Sequence, residues 1–400
     1  VSGTTLPQVS NLPQCPPFRL IVTGGGTGGH TYPALTAVHA LKTRLHASGR
    51  ALDVLWVGTK GSLEERVAES EGIAFKSVAT GKIRRSSNPL KLASPTNVRD
   101  MGRAARGVAQ ARTIVSAFNP DVVLATGGYV AIPVGMAAKM RHRPLVVHEQ
   151  TVRLGLANRT LARGSGATFA VSHEATLPLL PEHCRTDAVV TGNPVRPELM
   201  AGQPEKAVEA LALQSFDRHL PTIYVTGGAQ GSQQINHLFR DALPWLLTSA
   251  NIVHQCGPDN LPELQRHATT LPADLSARYH VTGYVGAELP DVLALADIVI
   301  ARSGAGTIAE MTALGKPSIL IPLATSAGGE QAHNARHLAE NGAALALLDD
   351  IDTDSLREAV TPLLSHPDQR ADMATQARHL GRPDAAERLV DVLLNATRGE

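Results

Sequence analysis

The sequence predicts an α/β protein made of two doubly wound, parallel-sheet domains in tandem. Short β-branched runs alternate with Ala- and Leu-rich helical runs along the whole chain, as expected where a helix must carry the chain back between parallel strands. Most of the strand candidates are continuous apolar runs, which strands buried on both faces require. The third observation is an internal echo. Arg19–Gly26 (RLIVTGGG) is a strand running into a Gly-rich turn, and Thr222–Ala229 (TIYVTGGA) repeats that pattern some two hundred residues later. A new first strand with its own glycine turn opens a second domain of this kind.

Nine strands are expected: Arg19–Thr23, Val54–Val57, Val122–Ala125, Leu145–Val147, Val189–Thr191, Thr222–Thr226, Ile252–Gln255, Ile298–Ala301 and Ser318–Ile321. Apolar-periodic helices should follow the two glycine turns, at Tyr32–Ser48 and Gln233–Thr248, with Pro33 in the first turn of its helix. The Pro, Ser, Thr and Gln content of residues 1–17 reads as a disordered leader, without the basic and apolar regions of a secretory signal. The first domain then spans 18–194 and the second 195–380, joined at the turn-rich stretch Thr191–Pro197. Residues 381–400 hold a terminal amphipathic helix at Asp384–Ala396, with Ala385, Leu389, Val392 and Leu393 on one face.

Composition narrows the function. The 400 residues are 43% hydrophobic and 18% charged with a net charge of +1, which argues against disorder and against nucleic-acid binding through bulk charge. At 3% aromatic residues there is little material for base-stacking platforms. Cys15, Cys184 and Cys256 are far apart and suggest neither a disulfide framework nor a metal pair. No apolar run is long enough to span a bilayer, and a cytoplasmic protein is expected.

The glycine turns carry the chemistry. Gly24–His30 (GGGTGGH) follows a strand and opens a helix, where exposed N–H groups and the helix dipole suit a phosphate or pyrophosphate. Gly24, Gly26 and Gly29 satisfy GxGxxG, but the next strand ends in Gly58-Thr59-Lys60 with no acid to hold a dinucleotide ribose. Arg302–Glu310 (RSGAGTIAE) is another strand-to-helix turn, in which Thr307 can donate to a phosphate. Glu310 can accept from the two hydroxyls of a ribose, or simply serve the helix dipole. His30 is suited to proton transfer near neutral pH. His148-Glu149-Gln150 ends a further strand, and ligands collect at the carboxyl ends of such strands. The four clusters Gly24–His30, His148–Thr151, Gly227–Ser232 and Ser303–Glu310 therefore fall on one edge of two sheets. His333 and His337 lie four apart, but no third metal ligand follows in a recognisable pattern.

Six of these segments, in this order and spacing, resemble the MurG family of GT-B glycosyltransferases: GGGTGGH at 24–30, TGGYVAIP at 126–133, HEQ at 148–150, GNPVR at 192–196, GGAQGS at 227–232 and RSGAGTIAE at 302–310, continued by EQAHNA at 330–335. The resemblance runs from about Phe18 to near the C-terminus. It implies a GT-B fold, two Rossmann-like domains facing across a deep cleft, with the lipid acceptor mainly on the first and the donor mainly on the second. The last helix would cross back to the first domain. The implied reaction is transfer of N-acetylglucosamine from UDP-N-acetylglucosamine to an undecaprenyl-linked muramyl-pentapeptide in peptidoglycan synthesis. Carried over by position, Glu310 would hold the ribose. Ala305, Gly306 and Thr307, with Ile308 and Ala309 in the same turn, would meet phosphates and sugar. Val285 would contact uracil through its backbone, Arg196 would help hold the nucleotide, and Gln331 would read sugar hydroxyls. Thr27, Gly28 and Gly29 would approach the pyrophosphate and acceptor, and Tyr129 would line the acceptor side. Three positions depart from the family pattern: Thr151 stands for Asn, Ala229 for Ser and Glu330 for Gln. Ser232 lies close enough to Ala229 to supply a hydroxyl.

The mechanism this implies is inverting, with the acceptor 4-hydroxyl attacking the anomeric carbon, His30 as base and Glu149 as its understudy or an orienting group. No cofactor or metal is expected. The only Asp-x-Asp-like run, Asp350–Asp354, falls in an expected loop, and the helix N-terminus at Gly304–Thr307 with Arg196 can meet the charge on departing UDP. Residues 79–107 carry Lys82, Arg84, Arg85, Lys91, Arg99, Arg103 and Arg106 against Asp100, interleaved with Ile83, Leu90, Leu92 and Met101. This segment is the expected contact with an anionic membrane surface, placing the enzyme peripherally on the inner face of the plasma membrane. The alternatives are another GT-B enzyme using a UDP-sugar (with a different acceptor, or a 2-epimerase) and, less well supported, a dinucleotide-dependent oxidoreductase.

Overall fold

A computed structural model of the chain describes residues 16–81, 95–164, 166–348 and 351–398, without the side chains of 95–101 and 327. Most of the expected leader and residues 82–94 of the expected membrane segment lie outside the described residues. The chain divides into two compact units: Val1–His148, Thr160–Thr168 and Val390–Glu400 in the first, Glu149–Arg159 and Phe169–Leu389 in the second.

A seven-stranded sheet contains β1 (Phe18–Thr23), β2 (Leu52–Gly58), β3 (Ala74–Ser77), β4 (Val122–Ala125), β5 (Leu145–Glu149), β6 (Thr168–Val171) and β7 (Val189–Val190), in the order β3-β2-β1-β4-β5-β6-β7. A six-stranded sheet contains β8 (Thr222–Thr226), β9 (Asn251–Gln255), β10 (Tyr279–Thr282), β11 (Ile298–Ala301), β12 (Ser318–Leu320) and β13 (Leu345–Ala346), in the order β10-β9-β8-β11-β12-β13. β1 runs parallel to β2 and β4, and β8 parallel to β9 and β11. In each sheet the strand order reverses beside the first strand, between β1 and β4 and between β8 and β11. In open α/β sheets the ligand crevice lies at such a reversal.

The nine expected strands all form, with ends shifted by at most two residues. β3, β6, β10 and β13 were not expected. Ala74–Ser77 and Tyr279–Thr282 are largely exposed or half-buried edge strands of mixed polarity, and Leu345–Ala346 is a two-residue bridge. The first two lack the continuous apolar run that marks a central strand, and the third lies in an Ala- and Leu-rich run without a β-branched residue. β6 is mostly buried but only four residues long.

The core follows strand alternation. Ile223 and Val225 of β8 pack with Phe239, Leu243, Ile252, Ile300, Leu356 and Val360 on one side of the second sheet. Tyr224, between them, packs on the other side with Val253, Val299, Val285, Met311 and Val195. Val195 shows that the stretch read as a linker is part of this second core. The C-terminal helix forms at Ala385–Ala396, and Ala385, Leu389, Val392 and Leu393 are buried as their spacing requires. One further expectation needs correction. Asp352 ends the loop and N-caps the helix Thr353–Ser365, which takes in Asp354, in a capping box with Ser355, a local pairing that commits its carboxylate to the backbone.

Candidate active site

In the first unit the turn after β1 continues directly into the helix Gly28–Ala47. This helix starts four residues earlier than the periodicity suggested, so Pro33 lies in its second turn. Thr27 takes an extended N-cap conformation, and its carbonyl receives the His30 and Thr31 N–H groups. His30 is thereby the third helical residue, half-buried. Its carbonyl accepts from the Thr126 hydroxyl at 2.9 Å, in the turn that follows β4. The glycines here are set by close packing. A Cβ on Gly24 would lie 1.8 Å from Thr126 Oγ1, one on Gly127 would lie 2.9 Å from the His30 ring, and one on Gly128 would lie 2.4 Å from the Gly25 carbonyl. The two turns flanking the strand reversal are thus locked together beneath His30. Gly28 and Gly29 are half-buried, Thr27 is exposed, and Tyr129, which follows Gly128, is 43% exposed.

A residue the sequence reading missed holds this turn from below. Glu64 is only 1% exposed. It accepts from the Gly26 N–H at 3.2 Å and from the Thr59 N–H at 3.1 Å, tying the turn after β1 to the loop after β2. A Cβ on Gly25 would fall 2.2 Å from its carboxyl carbon. The Ser-x-x-Glu spacing of Ser62-Leu-Glu-Glu65 marks a helix start, and Ser62 does cap the helix Leu63–Ser70, but that spacing singles out Glu65 and gives no signal for Glu64.

In the second unit the helix Ala305–Leu314 begins immediately after β11, with Gly304 as an extended N-cap. Ala305, Gly306 and Thr307 are partly accessible in its first turn, Ile308 is buried in the core, and Ala309 is half-buried. Neither Gly304 nor Gly306 has any atom within 4 Å of where a Cβ would sit, so space remains open at this helix N-terminus. One turn on, Glu310 pairs with Arg196 at 3.3 Å. Burial raises its carboxyl above the ordinary value, and Arg196 opposes that rise. Across the strand reversal lies the Gly227–Ser232 turn. Ala229 is exposed. Ser232 N-caps the helix Gln233–Leu246, accepting from Ile235 N–H, and it also receives Arg302 Nη2 at 2.6 Å. Arg302 is a second group the sequence reading did not single out. Burial lowers its pKa from the ordinary value, but a guanidinium stays charged, so a cation stands under this turn.

Val285 is buried, and its N–H donates to Gln255 Oε1 at 2.9 Å. Its carbonyl is therefore the backbone group that it can offer a ligand. Gln331 accepts the Leu323 N–H on its Oε1 at 2.9 Å, so its amide NH2 is what it can offer a sugar hydroxyl. Glu330 begins the helix Glu330–Glu340. At the end of β5, Glu149 is 2% exposed. It accepts from the Thr151 N–H at 3.1 Å, the Thr151 hydroxyl at 2.9 Å, the Gly155 N–H at 2.8 Å and Asn158 Nδ2 at 2.9 Å. Its four bonds order the loop that follows, and the Thr151 hydroxyl faces Glu149. Among the described residues, no group of three or more His, Cys, Asp or Glu side chains is placed to hold a metal ion.

Residues 20–169 match the glycosyltransferase family 28 N-terminal domain, and residues 222–389 match the glycosyltransferase family 28 C-terminal domain. A UDP-N-acetylglucosamine–N-acetylmuramyl-(pentapeptide) pyrophosphoryl-undecaprenol N-acetylglucosamine transferase from Desulforudis audaxviator is 34% identical over 94% of this chain and 98% of its own length. The chain belongs to glycosyltransferase family 28. Among solved structures, MurG of Acinetobacter baumannii superposes with a TM-score of 0.73 at 26% identity, covering 95% of this chain and all of that one; the fold is GT-B. A putative UDP-N-acetylglucosamine 2-epimerase from Listeria monocytogenes gives a TM-score of 0.64 at 16% identity, over 96% of each chain. That likeness is one of fold alone. Family membership is consistent with where the clusters fall: every segment that carried the resemblance lies at or just beyond the carboxyl end of a strand or in the helix that follows.

Proposed function

We propose that the protein transfers N-acetylglucosamine from UDP-N-acetylglucosamine to the muramyl 4-hydroxyl of undecaprenyl-pyrophosphoryl-muramyl-pentapeptide, with inversion at the anomeric carbon. The observation that carries this reading is the match to a full-length relative of that named activity, joined to an open helix N-terminus that has a paired carboxylate one turn along it. The acceptor oxygen bonds to the anomeric carbon as the bond from that carbon to the β-phosphate oxygen breaks. The electron pair leaves with UDP, and the acceptor proton passes to the His30 imidazole. Glu310 accepts from the ribose hydroxyls, and Arg196, 3.3 Å away, opposes the protonation that burial favours. The first-turn N–H groups of Ala305–Thr307 and the Arg302 charge meet the diphosphate as its charge grows. The Val285 carbonyl accepts uracil N3–H, and Gln331 donates to the sugar. Thr27–Gly29 and Tyr129 receive the acceptor. Glu149 acts as an orienting group, because its oxygens are already engaged by the loop they organise.

We place the enzyme peripherally on the inner face of the plasma membrane, through the basic and apolar residues of 79–107. Among the described residues no helix is long and apolar enough to cross a membrane, and Arg103 and Arg106 are exposed on the helix Pro95–Phe118. Co-sedimentation with anionic liposomes at low salt tests this; protein left in the supernatant would refute it. For the reaction, the purified protein would be incubated with labelled UDP-N-acetylglucosamine and a short-chain muramyl-pentapeptide lipid in EDTA. Label in the lipid is expected. Donor binding without transfer would overturn the acceptor assignment.

A further inference from the structure

We infer that Gln255 is a positioning residue that sets both the base preference and the diphosphate turn of the donor site. The inference rests on the reading of Val285 as the base-contacting residue. Gln255 is the last residue of β9 and is 4% exposed. Its Oε1 accepts from the Val285 N–H at 2.9 Å and from the Tyr224 hydroxyl at 3.3 Å. Its Nε2 donates to the Gly228 carbonyl at 2.9 Å and to Thr226 Oγ1 at 3.1 Å. These partners leave one orientation for the amide: a backbone N–H needs its oxygen and a backbone carbonyl needs its nitrogen. Both protons and both acceptor positions are used, which is what a buried primary amide requires.

The partners come from separate parts of the second unit. Gly228 is in the glycine turn after β8, with φ of +92°, and its own N–H donates to Thr226 Oγ1 at 3.0 Å. Val285 is in the loop after β10. The next residues along the chain press on the same turn: a Cβ on Gly231 would lie 1.8 Å from the Cys256 carbonyl, and one on Gly257 would lie 2.2 Å from the Gln230 carbonyl. One side chain therefore fixes where the diphosphate turn lies and how the Val285 backbone is presented. With its N–H anchored by Gln255 and its side chain buried in the core, Val285 holds its carbonyl in one direction. A fixed carbonyl accepts from the N3–H of uracil and repels the N3 lone pair of cytosine. The amide thus acts on specificity without touching the ligand.

The test measures dissociation constants for UDP and CDP by calorimetry, on the full chain, with two variants. Gln255→Glu keeps both acceptors and loses both donors. It should keep the preference for UDP over CDP, while affinity for both diphosphates falls about tenfold because the turn is released. Gln255→Met has the same length with no hydrogen bonds. It should lose affinity and also shrink the UDP-over-CDP preference by about tenfold. Thermal melts of each variant identify a folded sample, and Gln255→Glu alone decides the matter if Gln255→Met does not fold. Equal loss of UDP and CDP binding in Gln255→Met, lost preference in Gln255→Glu, or wild-type affinities in either variant would overturn the inference. Wild-type protein that binds UDP and CDP equally would instead overturn the reading of Val285, and this inference with it.

Discussion

The two glycine turns look alike in sequence, RLIVTGGG and TIYVTGGA, yet they rest on opposite supports. The turn after β1 sits on a buried carboxylate, Glu64, which takes one of its own N–H groups, that of Gly26. The turn after β8 is held by a neutral amide at Gly228 and by the Arg302 guanidinium at Ser232. An anion gains Coulomb energy over a cation and loses it over a carboxylate, most strongly where water is scarce. The same turn grammar therefore gives one turn whose support favours a diphosphate and one whose support does not, which suits the neutral acceptor hydroxyl that we propose reacts beside His30. A glycine turn is a scaffold, and the charge beneath it decides what it binds.

The sharpest way to break this comparison is at His30. If the first turn serves chemistry and the second serves the donor, His30→Ala should lower turnover by about 10²- to 10⁴-fold, the usual loss on removing a general base. UDP affinity measured by calorimetry should stay unchanged. Unchanged turnover would remove His30 from the mechanism. On the donor side, Glu310→Ala should weaken UDP binding by about 10- to 100-fold, as expected for hydrogen bonds to a charged acceptor. Loss of turnover without loss of binding would contradict the assignment.

Glu310 also sharpens the comparison through pH. Burial raises its carboxyl above the ordinary value, so the folded protein takes up this proton more readily than the unfolded chain. Ionising the group therefore costs stability as pH rises above the ordinary carboxylate range. Glu310→Gln should melt above the parent at pH 7, with the gap closing as the pH falls below that range. Stability would then have been given up for ligand binding. Glu64→Gln should behave the other way. An amide can accept from one of the two N–H groups but turns its own donors on the other, costing about 1–3 kcal/mol. Chemical denaturation should show that loss, with turnover reduced and UDP affinity retained. The smallest effect is expected for Ala229→Ser. A hydroxyl on the exposed second turn should tighten UDP binding by a few-fold, about 0.5–1.5 kcal/mol, again by calorimetry.

Much of this was legible in the chain itself. The apolar runs located every interior strand but the four-residue β6, because strands buried on both faces must be apolar throughout. The glycine turns and RSGAGTIAE marked the strand ends where ligands gather, because the turn geometry demands small residues at fixed offsets. Edge strands such as Ala74–Ser77 escaped, since half-exposed strands carry no such constraint. The supports under the turns escaped for a different reason. Glu64 reads as one acid among several at a helix start. Gln255 reads as the end of a strand, and Arg302 as one of many arginines. Their roles depend on which groups the fold brings to them from elsewhere in the chain: the Gly26 N–H to Glu64, the Val285 N–H and Gly228 carbonyl to Gln255, and the Ser232 hydroxyl to Arg302. Local sequence fixes where turns and strands form through short-range sterics and burial. Only tertiary structure decides which buried charge or amide lies beneath each turn, because hydrogen-bond partners of that kind are far apart along the chain and meet only once the sheets are built.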